Sequence, residues 1–245
     1  MASRYKPSII AITESWLSDD ISDKYAYNDY HRFSSSRNAA HPRGGVLLLF
    51  SPGYSVFEKS VHVKPPASCD ALAVVDAADG HCWVLVYRPV CKAEDTAQLC
   101  RYLDCVLSEH KAVTIMGDFN LNQIKWHIPA ECQHLDVVHR NFLQFCASWD
   151  LQQVVPGPTR GQSELDIILT THPERFNRVT IEPPLLNSDH DVVICHMQRA
   201  SRCALPGALR LERSFLHADY SAIAHHLSLC HWHTIFSGCV TVNDY

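Results

Sequence analysis

The stretch Val113-Thr114-Ile115-Met116-Gly117-Asp118-Phe119-Asn120 joins an apolar run to a turn that carries a carboxylate and an amide. An apolar run of this length, closed by Gly, Asp and Asn, reads as a strand entering a turn. Gly117 lets the chain turn sharply or lets another group approach closely. Asp118 and Asn120 stand two apart in extended chain and project to the same side. A carboxylate that takes a proton beside an amide that donates to an anion suits attack of water on phosphate. Gly, Asp and Asn are equally favoured at any strand end, so the motif by itself leaves both readings open.

Outward from this stretch, strand-like runs recur at Ser8–Thr13, Gly45–Phe50, Ala71–Val75, Trp83–Tyr87, Leu165–Thr170 and Val192–Met197. The unbroken apolarity of Val46–Phe50 and Cys82–Val86 predicts strands covered on both faces. Helical spacing is read at Ala97–Glu109 and Leu135–Trp149, so strands and helices interleave and the class is α/β or α+β with layered packing.

The chain has 245 residues, 47% of them hydrophobic and 19% charged, which describes a folded protein rather than a disordered one. Its length predicts one large domain, or one with an appendage. Net charge is −5, which excludes binding of nucleic acid by overall positive charge; a local basic patch or a bound cation is needed. No apolar run reaches the ~18 residues of a membrane span and no signal-peptide pattern is present, so no membrane partner and an intracellular protein are expected. Eleven scattered cysteines without a Cys-x-x-Cys pair read as small reduced core residues. The composition changes at Gln198–Ser214, where Arg accumulates around Leu205-Pro206-Gly207. A boundary there divides the chain into a domain at 1–198 and a linker with a helical tail at 199–245.

Three further carboxylates stand beside or inside strand-like runs. Glu14 follows the Ile9–Thr13 strand in Thr13-Glu14-Ser15-Trp16, and Asp189 with His190 precedes the Val192 strand. Asp166 lies inside the apolar Leu165–Leu169 run, where an unpaired charge costs several kcal/mol and histidine is the natural partner. In the tail, His225, His226, Cys230, His231, His233 and Cys239 have no ligand spacing of a known zinc finger.

Taken in order, Glu14 in TESWL, Arg43-Gly44-Gly45, Tyr87-Arg88-Pro89, Gly117-Asp118-Phe119-Asn120, Pro158-Thr159-Arg160, Leu165-Asp166 and Ser188-Asp189-His190 resemble the endonuclease/exonuclease/phosphatase superfamily. More narrowly, residues 5–198 resemble the endonuclease domain of non-LTR (LINE-type) retrotransposon polyproteins. The tail resembles the connector that precedes reverse transcriptase in them.

The resemblance implies two facing, mostly antiparallel β-sheets with helices outside, and a phosphodiesterase site using Mg²⁺ (or Mn²⁺) at one edge. Glu14 and Asp189 would hold the metal. Asp118 would orient or deprotonate the attacking water, Asn120 and Tyr87 would contact the scissile phosphate, and Asp166 would hold His190 against a non-bridging oxygen. Arg43, Arg88, Thr159 and Arg160 are the implied DNA contacts. DNA and a linked reverse transcriptase are the implied partners, and the nucleus the implied location. The resemblance also implies an Asn-bearing strand ahead of the glutamate. Only 13 residues precede Glu14 and none forms such a strand, so the expectation is a sheet lacking its first strand, in a fragment of a larger reading frame. Three functions remain open: a DNA-nicking endonuclease, a phosphatase of the same superfamily, and an inactive remnant or interaction module.

Overall fold

The computed structural model describes residues 6–17, 29–35, 44–89, 91–127, 134–198 and 219–229. Arg43, the linker at 199–218 and the tail histidines and cysteines beyond Leu229 lie outside them. The chain divides into two units, Met1–Ala204 and Leu205–Tyr245. In the second, the described part is one helix, Tyr220–Leu229.

In the first unit, six strands form the main sheet: β4 (Val56–Glu58), β5 (Asp70–Asp76), β6 (Cys82–Tyr87), β7 (Val113–Asp118), β9 (Asp166–Thr170) and β8 (Gln152–Gln153), in that spatial order. Only β6 and β7 run parallel. Helix α1 (Ala93–Glu109) makes the crossover that a parallel pair requires. Its start, four residues before the predicted one, is fixed by Asp95, whose carboxylate accepts from the Lys92 backbone N–H at 3.3 Å. Helix α2 (Val137–Ser148) begins at Asp136, which accepts from the His139 N–H at 2.9 Å.

Alternation sorts the side chains of the main sheet into two cores. Val84, Val86, Ile115, Ile167 and Leu169 pack against Leu99, Leu103 and Phe142 of the helices. Leu72, Val74, Leu85 and Met116 face the other way, onto Val46, Leu48 and Phe50. Those last three belong to β3 (Val46–Phe50), the centre of a three-stranded antiparallel sheet ordered β1 (Ile9–Thr13), β3, β2 (His31–Ser35). A separate antiparallel pair, β10 (Phe176–Glu182) and β11 (Val192–Met197), sends Met197 onto this second core. Among the described residues β1 pairs only with β3, and β11 only with β10.

The β10–β11 pair is fastened at both ends. Away from the site, Arg175 binds Asp79 Oδ2 at 3.0 Å and also meets the ring of His81, whose Nε2 lies 2.9 Å from Thr114 Oγ1. Burial and the Arg175 charge push His81 down to about 3, so this ring is neutral and serves as an internal hydrogen-bonding post. At the other end the Asp191 N–H donates to the Thr159 carbonyl at 2.7 Å. Seven cysteines among the described residues are free thiols, and no described helix is long and apolar enough to cross a membrane.

Candidate active site

One row of the main sheet assembles most of the site. Asp70 lies opposite Tyr87, Tyr87 opposite Asp118, and Asp118 opposite Asp166, in four consecutive strands. All four residues fall at the strand ends on the face turned toward β1–β3–β2. The register depends on Gly117, whose φ is +137°. A Cβ placed there meets the Val86 carbonyl oxygen at 1.8 Å, so only glycine lets β6 and β7 pair this closely.

Asp118 is buried, and both carboxylate oxygens accept from Asn120: Oδ1 from the backbone N–H at 3.0 Å, Oδ2 from the side-chain amide at 3.0 Å. The same amide donates to the Arg88 carbonyl at 3.1 Å, so in this arrangement both hydrogens of Asn120 are in use. Burial, then the Asp166 carboxylate, push Asp118 up to about 7, and Glu14 adds in the same direction, against the opposing pull of His190 and the Asn120 N–H. His190 Nδ1 donates to Asp166 Oδ2 at 2.7 Å. That bond raises the imidazole above its ordinary value and fixes the ring orientation. One ligand atom each from Asp118, Asp166 and His190 lie within 4.8 Å of one another, a set able to hold a cation.

Glu14 is placed by a relay from the main sheet. Asp70 Oδ2 accepts from the Gly45 N–H at 2.9 Å, and the Gly45 and Gly44 carbonyls accept from Ser15 and Trp16 at 3.1 and 2.9 Å. Glu14 is exposed and its charge reaches Asp118, but its carboxylate is not part of the three-residue cluster. Asp189 is ion-paired with Arg160; the two side chains are 67% and 48% exposed.

Two expected DNA contacts are corrected. Thr159 is fully buried, and its Oγ1 accepts from the Leu165 and Asp166 N–H groups at 3.3 and 3.0 Å, fixing the entry to β9. Arg88 is 3% exposed, and its guanidinium donates to Thr96 Oγ1 and the Phe119 carbonyl. Both hold the loops that carry Asp118, Asn120 and Asp166, because a buried donor satisfied inside the protein is not free for a ligand. Of the expected contacts, Arg160 is on the surface.

Beside the cluster lies a cleft of about 530 Å³ bordered by Asn120, Asn122, Gln123, His139, Arg160 and Leu165. Asn122, Gln123, His139 and Asp70 were not found by sequence reasoning. Asp70 had a visible signal, a carboxylate opening the apolar run Ala71–Val75; the others sit in a loop and on a helix without any motif.

Residues 82–194 match the family described as endonuclease-reverse transcriptase. No curated protein is similar enough in sequence to be matched. Among solved structures, the 3′-5′ exonuclease NExo of Neisseria meningitidis superposes with a TM-score of 0.61 at 16% identity, covering 81% of this chain and 92% of that one. A Neisseria NExo described as a 3′ phosphatase, bound to a product DNA hairpin, gives 0.61 at 17% identity over 81% and 91%. The endonuclease domain of TRAS1, a telomere-specific non-LTR retrotransposon, gives 0.60 at 15% identity over 82% and 90%. One six-stranded sheet faced by smaller antiparallel sheets, with a carboxylate–imidazole cluster at its edge, is thus the endonuclease/exonuclease/phosphatase fold, and the central 82–194 segment carries the sequence features of the endonuclease-reverse transcriptase family.

Proposed function

We propose that this chain hydrolyses phosphodiester bonds in DNA with the help of a divalent cation, nicking one strand to leave a 3′-hydroxyl, as the endonuclease part of a retrotransposon polyprotein at 1–198 with a connector at 199–245. The observation that carries this reading is the Asp118–Asp166–His190 cluster at the sheet edge, beside exposed Arg160 and an open cleft.

The donor set fits a hard cation, since two carboxylates lie together with an imidazole, and a cation there would offset the burial and the mutual repulsion that raise Asp118. Glu14, with Asp118 close by and Asp189 once released from Arg160, would hold Mg²⁺ or Mn²⁺. The ion would supply Lewis-acid charge at the phosphate. Asp118, held in place by Asn120, takes the proton of the attacking water. The bond from phosphorus to the 3′ oxygen breaks, leaving a 5′-phosphate and, after protonation, the 3′-hydroxyl. His190, its imidazolium form favoured by the bond to Asp166, stabilises a non-bridging oxygen and Tyr87 holds the phosphate in line, while the Asn120 amide, expected on the phosphate, instead orients the Asp118 carboxylate.

The test is nicking of supercoiled plasmid with Mg²⁺, with EDTA and by Asp118→Asn. Relaxed circles that need both the metal and Asp118 support the reading. Release of inorganic phosphate from 3′-phosphorylated ends without nicking would point to a phosphatase, and inertness in both assays to a remnant.

A further inference from the structure

Of the six described non-glycine residues with positive φ, four border the site: Glu14, Trp16, Asn120 and Leu186. Trp16 and Asn120 make hydrogen bonds already described, and Glu14 precedes Ser15, whose N–H donates to the Gly45 carbonyl. Leu186 has no such reason. It is 100% exposed at the tip of the β10–β11 loop, at φ +54°, a left-handed backbone that leucine adopts only under constraint.

The constraint is visible on both sides. Pro183-Pro184 stiffens the stem before it. After it, the Ser188 N–H donates to the Leu185 carbonyl at 3.0 Å, and Ser188 Oγ both accepts from the His190 N–H and donates to the His190 carbonyl at 3.1 Å. A large apolar side chain is thereby held rigidly in solvent, four residues from the imidazole that pairs with Asp166. Leu185 beside it is 43% exposed, and Trp16, on the loop carrying Glu14, is 60% exposed.

We infer that Leu186 is an apolar wedge for duplex DNA: it enters the groove or base stack beside the cleaved phosphate and opens a base step there. This rests on the proposed nuclease function: the loop is tied to His190 through Ser188, so a duplex presented to that imidazole would meet it. Apolar side chains aimed at a duplex act in this way, unstacking one step and bending the helix to bring the backbone to the protein.

The test is Leu186→Gly in the full chain. Glycine relieves the backbone strain, so the melting temperature should rise by about 1–3 °C. Affinity for a fluorescein-labelled duplex in EDTA should fall by about tenfold, and 2-aminopurine at the step beside the mapped nick should lose its brightening on binding. A duplex with a mismatch at that step, already unstacked, should recover most of the lost affinity, which a merely structural role would not produce. If the variant nicks, binds and brightens as the parent does, the wedge is wrong and the nuclease reading stands. If the parent neither binds nor nicks duplex DNA, both fall. If only self-association changes in sedimentation, the loop is a contact between copies and the wedge is wrong.

Discussion

The two sides of the β-sandwich are unequally covered. In the main sheet β5, β6 and β7 are buried at nearly every position, since each is paired on both edges and packed on both faces. Opposite, β1 and β11 are half-buried or exposed along their lengths, and Ile12 is 40% exposed. Each of these two has a strand partner on one edge only among the described residues. The groups proposed to be catalytic straddle the difference: Asp118 and Asp166 end strands of the closed sheet, while Glu14 and His190 follow or precede strands of the open side. One half of the site is therefore preorganised by a finished core, and the other is held in place by a few hydrogen bonds.

The largest effect should come from the closed side. Gly117→Ala forces a Cβ into the Val86 carbonyl, and no side-chain adjustment relieves a backbone clash. It should cost more than about 4 kcal/mol and leave little folded protein by circular dichroism. Gly53→Ala, with nothing within 4 Å of its added Cβ, should melt like the parent.

Asp118→Asn should lower plasmid nicking by roughly 10²–10⁴-fold while keeping the fold, since it removes a proton acceptor of the same shape. It should also alter the pH dependence of stability. The Asp118 carboxyl moves from 3.8 to about 7 on folding, so between those values the folded protein holds a proton that the unfolded chain releases. Metal-free stability should fall as pH rises through that window, and His190, raised above its ordinary value, adds the same sign at the upper end. Melts of Asp118→Asn should show a flatter slope there. The rise in melting temperature on adding Mg²⁺ to the parent should grow toward pH 8, where the carboxylate is ionised without help. An Mg²⁺ effect independent of pH would remove Asp118 from the neighbourhood of the metal.

A paired comparison probes the two sides directly. Leu85→Ala in the closed sheet should cost about 2–5 kcal/mol in urea melts, and Ile194→Ala in β11 roughly 1–2, because Leu85 is fully buried and Ile194 only partly so. Equal costs would mean that the open side is covered in solution. The smallest effect expected is a gain. Fusing an extended apolar strand through a short linker ahead of Ile9 should raise the melting temperature by a few degrees, by pairing the edge of β1 that has no strand partner among the described residues. It should also steady Glu14. A fused chain that melts no higher would show that this edge needs no partner.

The buried central strands of both sheets are legible because burial on both faces requires unbroken apolar runs, as in Cys82–Val86 of the main sheet and Val46–Phe50 of the smaller one. The strands not legible in the sequence, β2, β4, β8 and β10, are short or are only partly buried and polar in much of their length. Phe176-Asn-Arg-Val-Thr-Ile-Glu is too polar to read as a strand without its partner β11. Asp118, Asp166 and His190, which the structure brings together, stand out in the sequence only as members of an ordered set that resembles a family, since each charge alone reads as a surface group. Arg88 and Thr159 misled because a motif names residues without saying which way they face. Both turn inward and hold loops.

The sequence by itself determined which segments become strands and helices, through their hydrophobic period, and where chains turn, through Gly117, Asp118 and Asn120. It also determined that the overall negative charge forbids binding DNA by bulk attraction. Only the tertiary structure decided that Asp70, Tyr87, Asp118 and Asp166 share one row, because register is set by pairing between distant strands. It alone decided that Asp118 titrates near neutrality. Desolvation and the approach of Asp166 are properties of neighbours in space, and residues 118 and 166 become neighbours only when β7 pairs with β9.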